Sequence, residues 1–143
     1  MSASRFSSSF SFLSRSRHVL NVADDVPNYH EGKVIYKRLE VRDFGQDAGI
    51  GRVFDAAFAF LAEREANKEP CLVHCAQGAN RSATIVIAWL MKRNECKLEE
   101  AWAAVKAKRP GITPLRDNRQ QLWELERRLH GCNFITSEQA QRL

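Results

Sequence analysis

The sequence predicts an α/β sandwich built on a largely parallel central sheet, and three observations carry that expectation. Short β-rich runs at 18–22, 33–39 and 71–74 alternate along the chain with segments of helical period. The segment 81–93 has the length of a helix and is apolar almost all round, as expected of a helix in the middle of a domain. The whole chain has 143 residues, enough for one sizeable core and too few for two.

The elements follow in order. His18-Val19-Leu20-Asn21-Val22 reads as a short buried strand closed by the turn-forming Asp24, Asp25, Pro27 and Asn28. A second strand over 33–39 runs into a polar segment containing Asp43, Gly45 and Asp47. Ile50, Phe54, Ala57, Phe58 and Leu61 then share one helical face. Pro70 introduces the third strand, Cys71 to His74. After the apolar helix, Leu98, Ala101, Trp102 and Val105 repeat at helical spacing up to Pro110-Gly111, and Leu122, Leu125 and Leu129 mark the inward face of a last helix. The expected division is a Ser/Arg-rich segment at 1–17, one domain at 18–131 and a C-terminal tail at 132–143.

Residues 1–17 hold eight serines and three arginines, and no acidic residue precedes Asp24. Such a segment reads as a tail or a short edge strand around 10–13, with a mitochondrial transit peptide as the alternative. The composition, 44% hydrophobic and 27% charged, is ordinary for a globular chain, and no apolar run reaches the length of a membrane span. A formal charge of +5 favours anionic partners without choosing among phosphorylated proteins, nucleic acid and anionic lipid. Four cysteines occur without a secretory leader, so reduced thiols and a cytoplasmic or nuclear setting are expected. On a strand, Cys71 and Cys75 lie about 13 Å apart, too far to share a disulfide or an ion, and no metal or other cofactor is expected.

The informative arrangement is a strand, then Cys75-x5-Arg81, then a buried helix. A loop of this length, Ala76-Gln77-Gly78-Ala79-Asn80, can turn its backbone N–H groups toward one centre, at which the following helix also points its positive end. Gly78 permits the turn, and Arg81 offers a planar fork for two phosphate oxygens. Cys75 stands at the floor, in a positive field that favours the thiolate nucleophile. Cysteine is often merely buried, but the conjunction with His74, Gly78, Arg81 and Ser82 between strand and helix points to phosphate chemistry.

These residues resemble the His-Cys-x5-Arg-Ser/Thr signature of the cysteine-based protein phosphatases. Val19-Leu20-Asn21-Val22, Tyr36 leading to Asp43, Val73-His74-Cys75, Arg81-Ser82-Ala83-Thr84 running into Ala88-Trp89-Leu90-Met91, and Arg109-Pro110, Ile112, Pro114 and Gln121-Leu122 are similar to the small dual-specificity phosphatases over about residues 18–130. The resemblance implies a three-layer α/β/α protein-phosphatase fold, a phosphocysteine formed on Cys75, phosphate held by Arg81 and the loop, and a general acid at Asp43, 32 residues before the cysteine. A mobile carboxyl can protonate an expelled alkoxide or phenoxide, and Asp47 and Glu40 are rivals in the same segment. Ser82 is expected to bond the thiolate and help it leave, and His74 to organise the loop.

Three departures from the family pattern stand out. Residues 1–17 are too short for the usual leading strand and helix, and the protein is expected to be a monomer, or a dimer if the shortened N-terminus exposes the sheet. Leu115 stands where an asparagine is usual, so that support of the loop is expected to be absent or to be replaced by Asn118 or Arg116. Asn80 stands where serine is common and is expected to preserve activity.

With no room for a pocket-deepening insertion, the chain is expected to accept phosphoserine and phosphothreonine beside phosphotyrosine in protein substrates, with no obligatory nucleic acid. An RNA 5′-phosphatase, a phosphoinositide phosphatase and a non-catalytic phosphoresidue-binding module are the alternatives. The neutral residues inside the loop speak against polyphosphorylated lipid.

Overall fold

A computed structural model describes residues 17–42 and 49–143, together with the backbone of Phe6–Ser7. Among these residues a four-stranded sheet has the order β1-β4-β2-β3, with β1 at Phe6–Ser7, β2 at His18–Asn21, β3 at Ile35–Arg38 and β4 at Cys71–His74. Every pairing between these strands is parallel, as the sequence predicts. The edge strand expected near 10–13 lies outside the described residues, while Phe6–Ser7 pairs with Cys71 and Leu72.

β2 and β4 are buried at every position, which is why both read as nearly continuous apolar runs. β3 ends the sheet and alternates between exposed and half-buried positions. In register, Asn21 lies opposite His74, so the two carboxyl ends finish side by side. The loops leaving β2 and β4 therefore share the space where open α/β sheets place their ligands.

A 3₁₀ turn at Ile50–Val53 leads into α1 at Phe54–Ala66. The five residues expected on one face here, Ile50, Phe54, Ala57, Phe58 and Leu61, are all buried. α2, Arg81–Asn94, is buried from Arg81 through Met91 and touches α1, α3 at Leu98–Lys108 and α4 at Arg116–His130. It is the hub on which the other helices assemble. A helix surrounded in this way has no polar face to spare, which explains its apolar sequence.

Residues 132–143 do not form the expected tail. They fold back on α4 and carry α5, Ser137–Ala140, whose first turn is closed by a capping box between Thr136 and Gln139. Trp123 Nε1 donates to the Ile135 carbonyl at 2.9 Å, Arg119 Nη1 donates to that of Gln141 at 3.0 Å, and Ala140 is buried.

The same corner holds a fully buried acid. Glu126 Oε2 accepts from the Leu98 N–H at 2.8 Å, taking an orphan donor of the first turn of α3, whose N-cap Lys97 makes no side-chain cap. Glu126 Oε1 accepts from the Phe134 N–H at 3.1 Å and from Asn133 Nδ2 at 3.4 Å. One carboxylate thus caps α3 and fastens the C-terminal segment. Glu126→Ala strands these donors and is expected to cost about 2–4 kcal/mol of stability. A urea-unfolding midpoint unchanged by the substitution would contradict that role.

Candidate active site

The site grows from the carboxyl end of β4. Cys75 is buried at the floor of the loop, Ala76 and Gln77 are exposed, and Gly78 and Asn80 turn inward. Gly78 has φ 70°, the left-handed region where a side chain is penalised. That conformation delivers its N–H to Cys75 Sγ at 3.3 Å. Ser82, in the first turn of α2, places Oγ 3.3 Å from the same sulfur and is fully buried. The sulfur therefore has a backbone donor on one side and a hydroxyl on the other, both able to stabilise a thiolate.

The two cysteines of this strand and loop differ in kind. Burial pushes the Cys71 thiol up to about 12, and its sulfur lies 3.6 Å from the Leu72 carbonyl oxygen. Cys71 is a core residue. His74 is also buried, and burial lowers its pKa, which favours a neutral ring. Its Nδ1 sits 3.3 Å from the Cys75 carbonyl oxygen, and Nδ1–H donates to it. This contact ties the His74 ring to the backbone at Cys75.

The outer side of the loop rests on residues 109–118. The Thr113 N–H donates to the Ala79 carbonyl at 2.7 Å, and Arg109 Nη2 reaches that of Gln77 at 3.4 Å. Asn80 Oδ1 accepts from the Leu115 N–H and from Asn118 Nδ2, each at 2.8 Å. The side chain lost at Leu115 is thus replaced by Asn118, one of the two substitutes expected, and Asn80 receives it. Thr84 Oγ1 closes the join between loop and helix by donating to the Asn80 carbonyl at 2.8 Å.

Arg81 begins α2 and is 1% exposed. Its Nη1 lies 3.1 Å from Asp24 Oδ1, 2.9 Å from Asp25 Oδ1 and 2.9 Å from the Val41 carbonyl oxygen. In the sequence alone Asp24 and Asp25 read only as turn formers. The sequence shows only two adjacent acids at the end of a buried strand, and the pairing of that strand with the cysteine strand, which brings them to Arg81, is a tertiary feature.

Asn21 likewise reads only as a strand residue in the sequence, yet it builds that turn. Its Nδ2 donates to the Val26 carbonyl at 2.7 Å and to Asn28 Oδ1 at 3.0 Å, while its Oδ1 accepts from the Ala23 N–H at 3.1 Å.

Asp43 and Asp47, the first two candidates for the acid, lie outside the described residues. Glu40 is exposed and sits 3.7 Å from Arg38 Nε. Val41, whose carbonyl accepts from Arg81, stands two residues before Asp43 in the sequence.

A buried arginine at a helix start, closing a seven-residue turn around a floor cysteine, defines the class of Cys-x5-Arg phosphate-loop proteins. The family described as "Dual specificity phosphatase, catalytic domain" matches residues 3–128. Human dual specificity protein phosphatase 7 is 33% identical over 129 residues, covering 86% of this chain and 30% of that protein. Dual specificity protein phosphatase 1 of Arabidopsis thaliana is 36% identical over 110 residues, covering 77% of this chain and 55% of its own length. The crystal structure of human DUSP28 superposes with a TM-score of 0.76 at 25% identity, covering 82% of this chain and 78% of that one. The chain belongs to the dual specificity phosphatase catalytic-domain family. It spans about a third to a half of the length of these two curated relatives. Among the described residues no helix is long and apolar enough to cross a membrane.

Proposed function

We propose that this chain is a cysteine-dependent protein phosphatase hydrolysing phosphotyrosine and phosphoserine or phosphothreonine monoesters. The observation that carries the reading is the environment of Cys75 Sγ, 3.3 Å from both the Gly78 N–H and Ser82 Oγ, beneath a loop closed by Arg81. In the first step the Cys75 thiolate attacks phosphorus as the bond from phosphorus to the substrate oxygen breaks. Asp43 gives that oxygen a proton, and Arg81 with the loop amides holds the equatorial oxygens. In the second step water attacks the phosphocysteine, Asp43 takes a proton from the water, and the S–P bond breaks. The Ser82 hydroxyl donates to the departing sulfur.

The test is phosphate release from phosphotyrosyl and phosphothreonyl peptides by the full chain. Release from both is expected, and release from neither overturns the proposal. Asp43→Ala is expected to slow the phosphothreonyl peptide about 100-fold or more, because an alkoxide cannot leave unprotonated. It should slow p-nitrophenyl phosphate far less. Unchanged phosphothreonine turnover would transfer the acid role to Asp47.

A further inference from the structure

We infer that Asp24 and Asp25 are positioning residues for Arg81: the turn after β2 is a carboxylate clamp that sets the phosphate-binding guanidinium before substrate arrives. The inference rests on the proposed phosphatase reading and deepens it.

Both carboxylates converge on one nitrogen. Asp24 Oδ1 and Asp25 Oδ1 lie 3.1 and 2.9 Å from Arg81 Nη1, with the Val41 carbonyl oxygen at 2.9 Å. The side chain of Arg81 is 1% exposed, whereas those of Asp24 and Asp25 are 36% and 57% exposed. The acids thus reach from the surface to a buried cation. The hydrogen bond from Arg81 and the attraction of its charge hold the Asp25 carboxyl below the ordinary aspartate range, so it stays ionised at neutral pH.

The turn is itself a built structure. The Val22 N–H donates to the His74 carbonyl at 2.9 Å, joining the turn to the residue before the nucleophile. The Asp24 N–H donates to the Val41 carbonyl at 3.3 Å, the same oxygen that Arg81 uses. Arg38 Nη2 donates to the Asp24 carbonyl at 3.0 Å, and the fully buried Asn21 holds residues 23, 26 and 28. The clamp is therefore fixed to the ends of β3 and β4 and to the strand from which it leaves.

With Nη1 so engaged, the plane of the guanidinium is set by protein groups. An arginine that must find its orientation as it binds loses part of the binding energy to ordering. Two carboxylates also place negative charge near an incoming phosphate, and the opposite expectation follows if that charge dominates. Asparagine separates the two effects, since its oxygen accepts the same hydrogen bond without the charge.

The experiment measures tungstate binding by calorimetry, and KM and kcat for p-nitrophenyl phosphate, in the full chain and two double variants. Asp24→Ala/Asp25→Ala is expected to weaken tungstate and raise KM by about 30- to 100-fold, as for a displaced positioning group. Asp24→Asn/Asp25→Asn is expected to recover most of that loss. An irreversibly inactive fraction changes neither constant, and a melting midpoint well above the assay temperature in each variant excludes the reversible unfolding that would raise both. Unchanged constants in the alanine variant, or tighter tungstate binding in either variant, would overturn the clamp. Wild-type protein that binds tungstate but hydrolyses nothing would defeat the phosphatase reading, while the clamp would still be judged on tungstate alone.

Discussion

Cys75→Ser is expected to abolish turnover of p-nitrophenyl phosphate, with kcat falling by at least about a thousandfold, or ~4 kcal/mol of barrier. The reason is chemical. A serine hydroxyl is scarcely ionised at neutral pH, and the donors around Sγ, the Gly78 N–H and the Ser82 hydroxyl, are suited to a thiolate. The loop amides and Arg81 are untouched by the change, so tungstate should still bind. Cys71→Ser is the matched control. Its thiol lies in the core and is pushed up to about 12 by burial. The substitution buries a hydroxyl and should cost about 1–3 kcal/mol of stability while leaving kcat in place. Equal loss of kcat from the two substitutions, or none from Cys75→Ser, would refute the assignment of the nucleophile.

The second large effect is expected from Arg81→Lys, a drop in kcat/KM of about 100-fold or more despite the conserved charge. Lysine carries a point charge where the reaction needs a planar fork to hold two oxygens of a trigonal phosphoryl group. Nη1 of Arg81 also gathers Asp24, Asp25 and the Val41 carbonyl, and a single ammonium cannot meet all three and grip phosphate as well. Steady-state kinetics on p-nitrophenyl phosphate, read together with tungstate affinity, checks this. A lysine variant within threefold of wild type would mean that charge, not geometry, is what Arg81 contributes.

The arginine also marks the boundary of what could be read from one dimension. Its place in the loop was legible because Cys75 through Ser82 is contiguous, and a strand, a short loop and a helix arrange neighbouring residues by local rules. The buried strands and helix faces are legible for a related reason, since β2 and β4 are short apolar runs bounded by turn residues and the helix faces repeat at period 3.6, a property of the backbone. Reading 132–143 as a tail failed because its attachment depends on Trp123 and Glu126, whose partners cannot be inferred from a polar, aperiodic segment. Asn118 could be named only as one of two substitutes for the support lost at Leu115. The choice depended on which side chain of the first turn of α4 faces Asn80.

By itself the sequence determined the fold class, the burial of α2 and the chemical identity of the loop that begins at Cys75, because each is encoded in residues adjacent along the chain. Tertiary structure alone decided what surrounds that loop. Asp24 meets Arg81 across 57 residues only because β2 pairs with β4 in the register that sets Asn21 opposite His74. A shift of that pairing by one residue would turn every side chain of β2 to the other face and carry the acidic turn away from the arginine. Register depends on the packing of both sheet faces at once, and no local pattern in the chain states it.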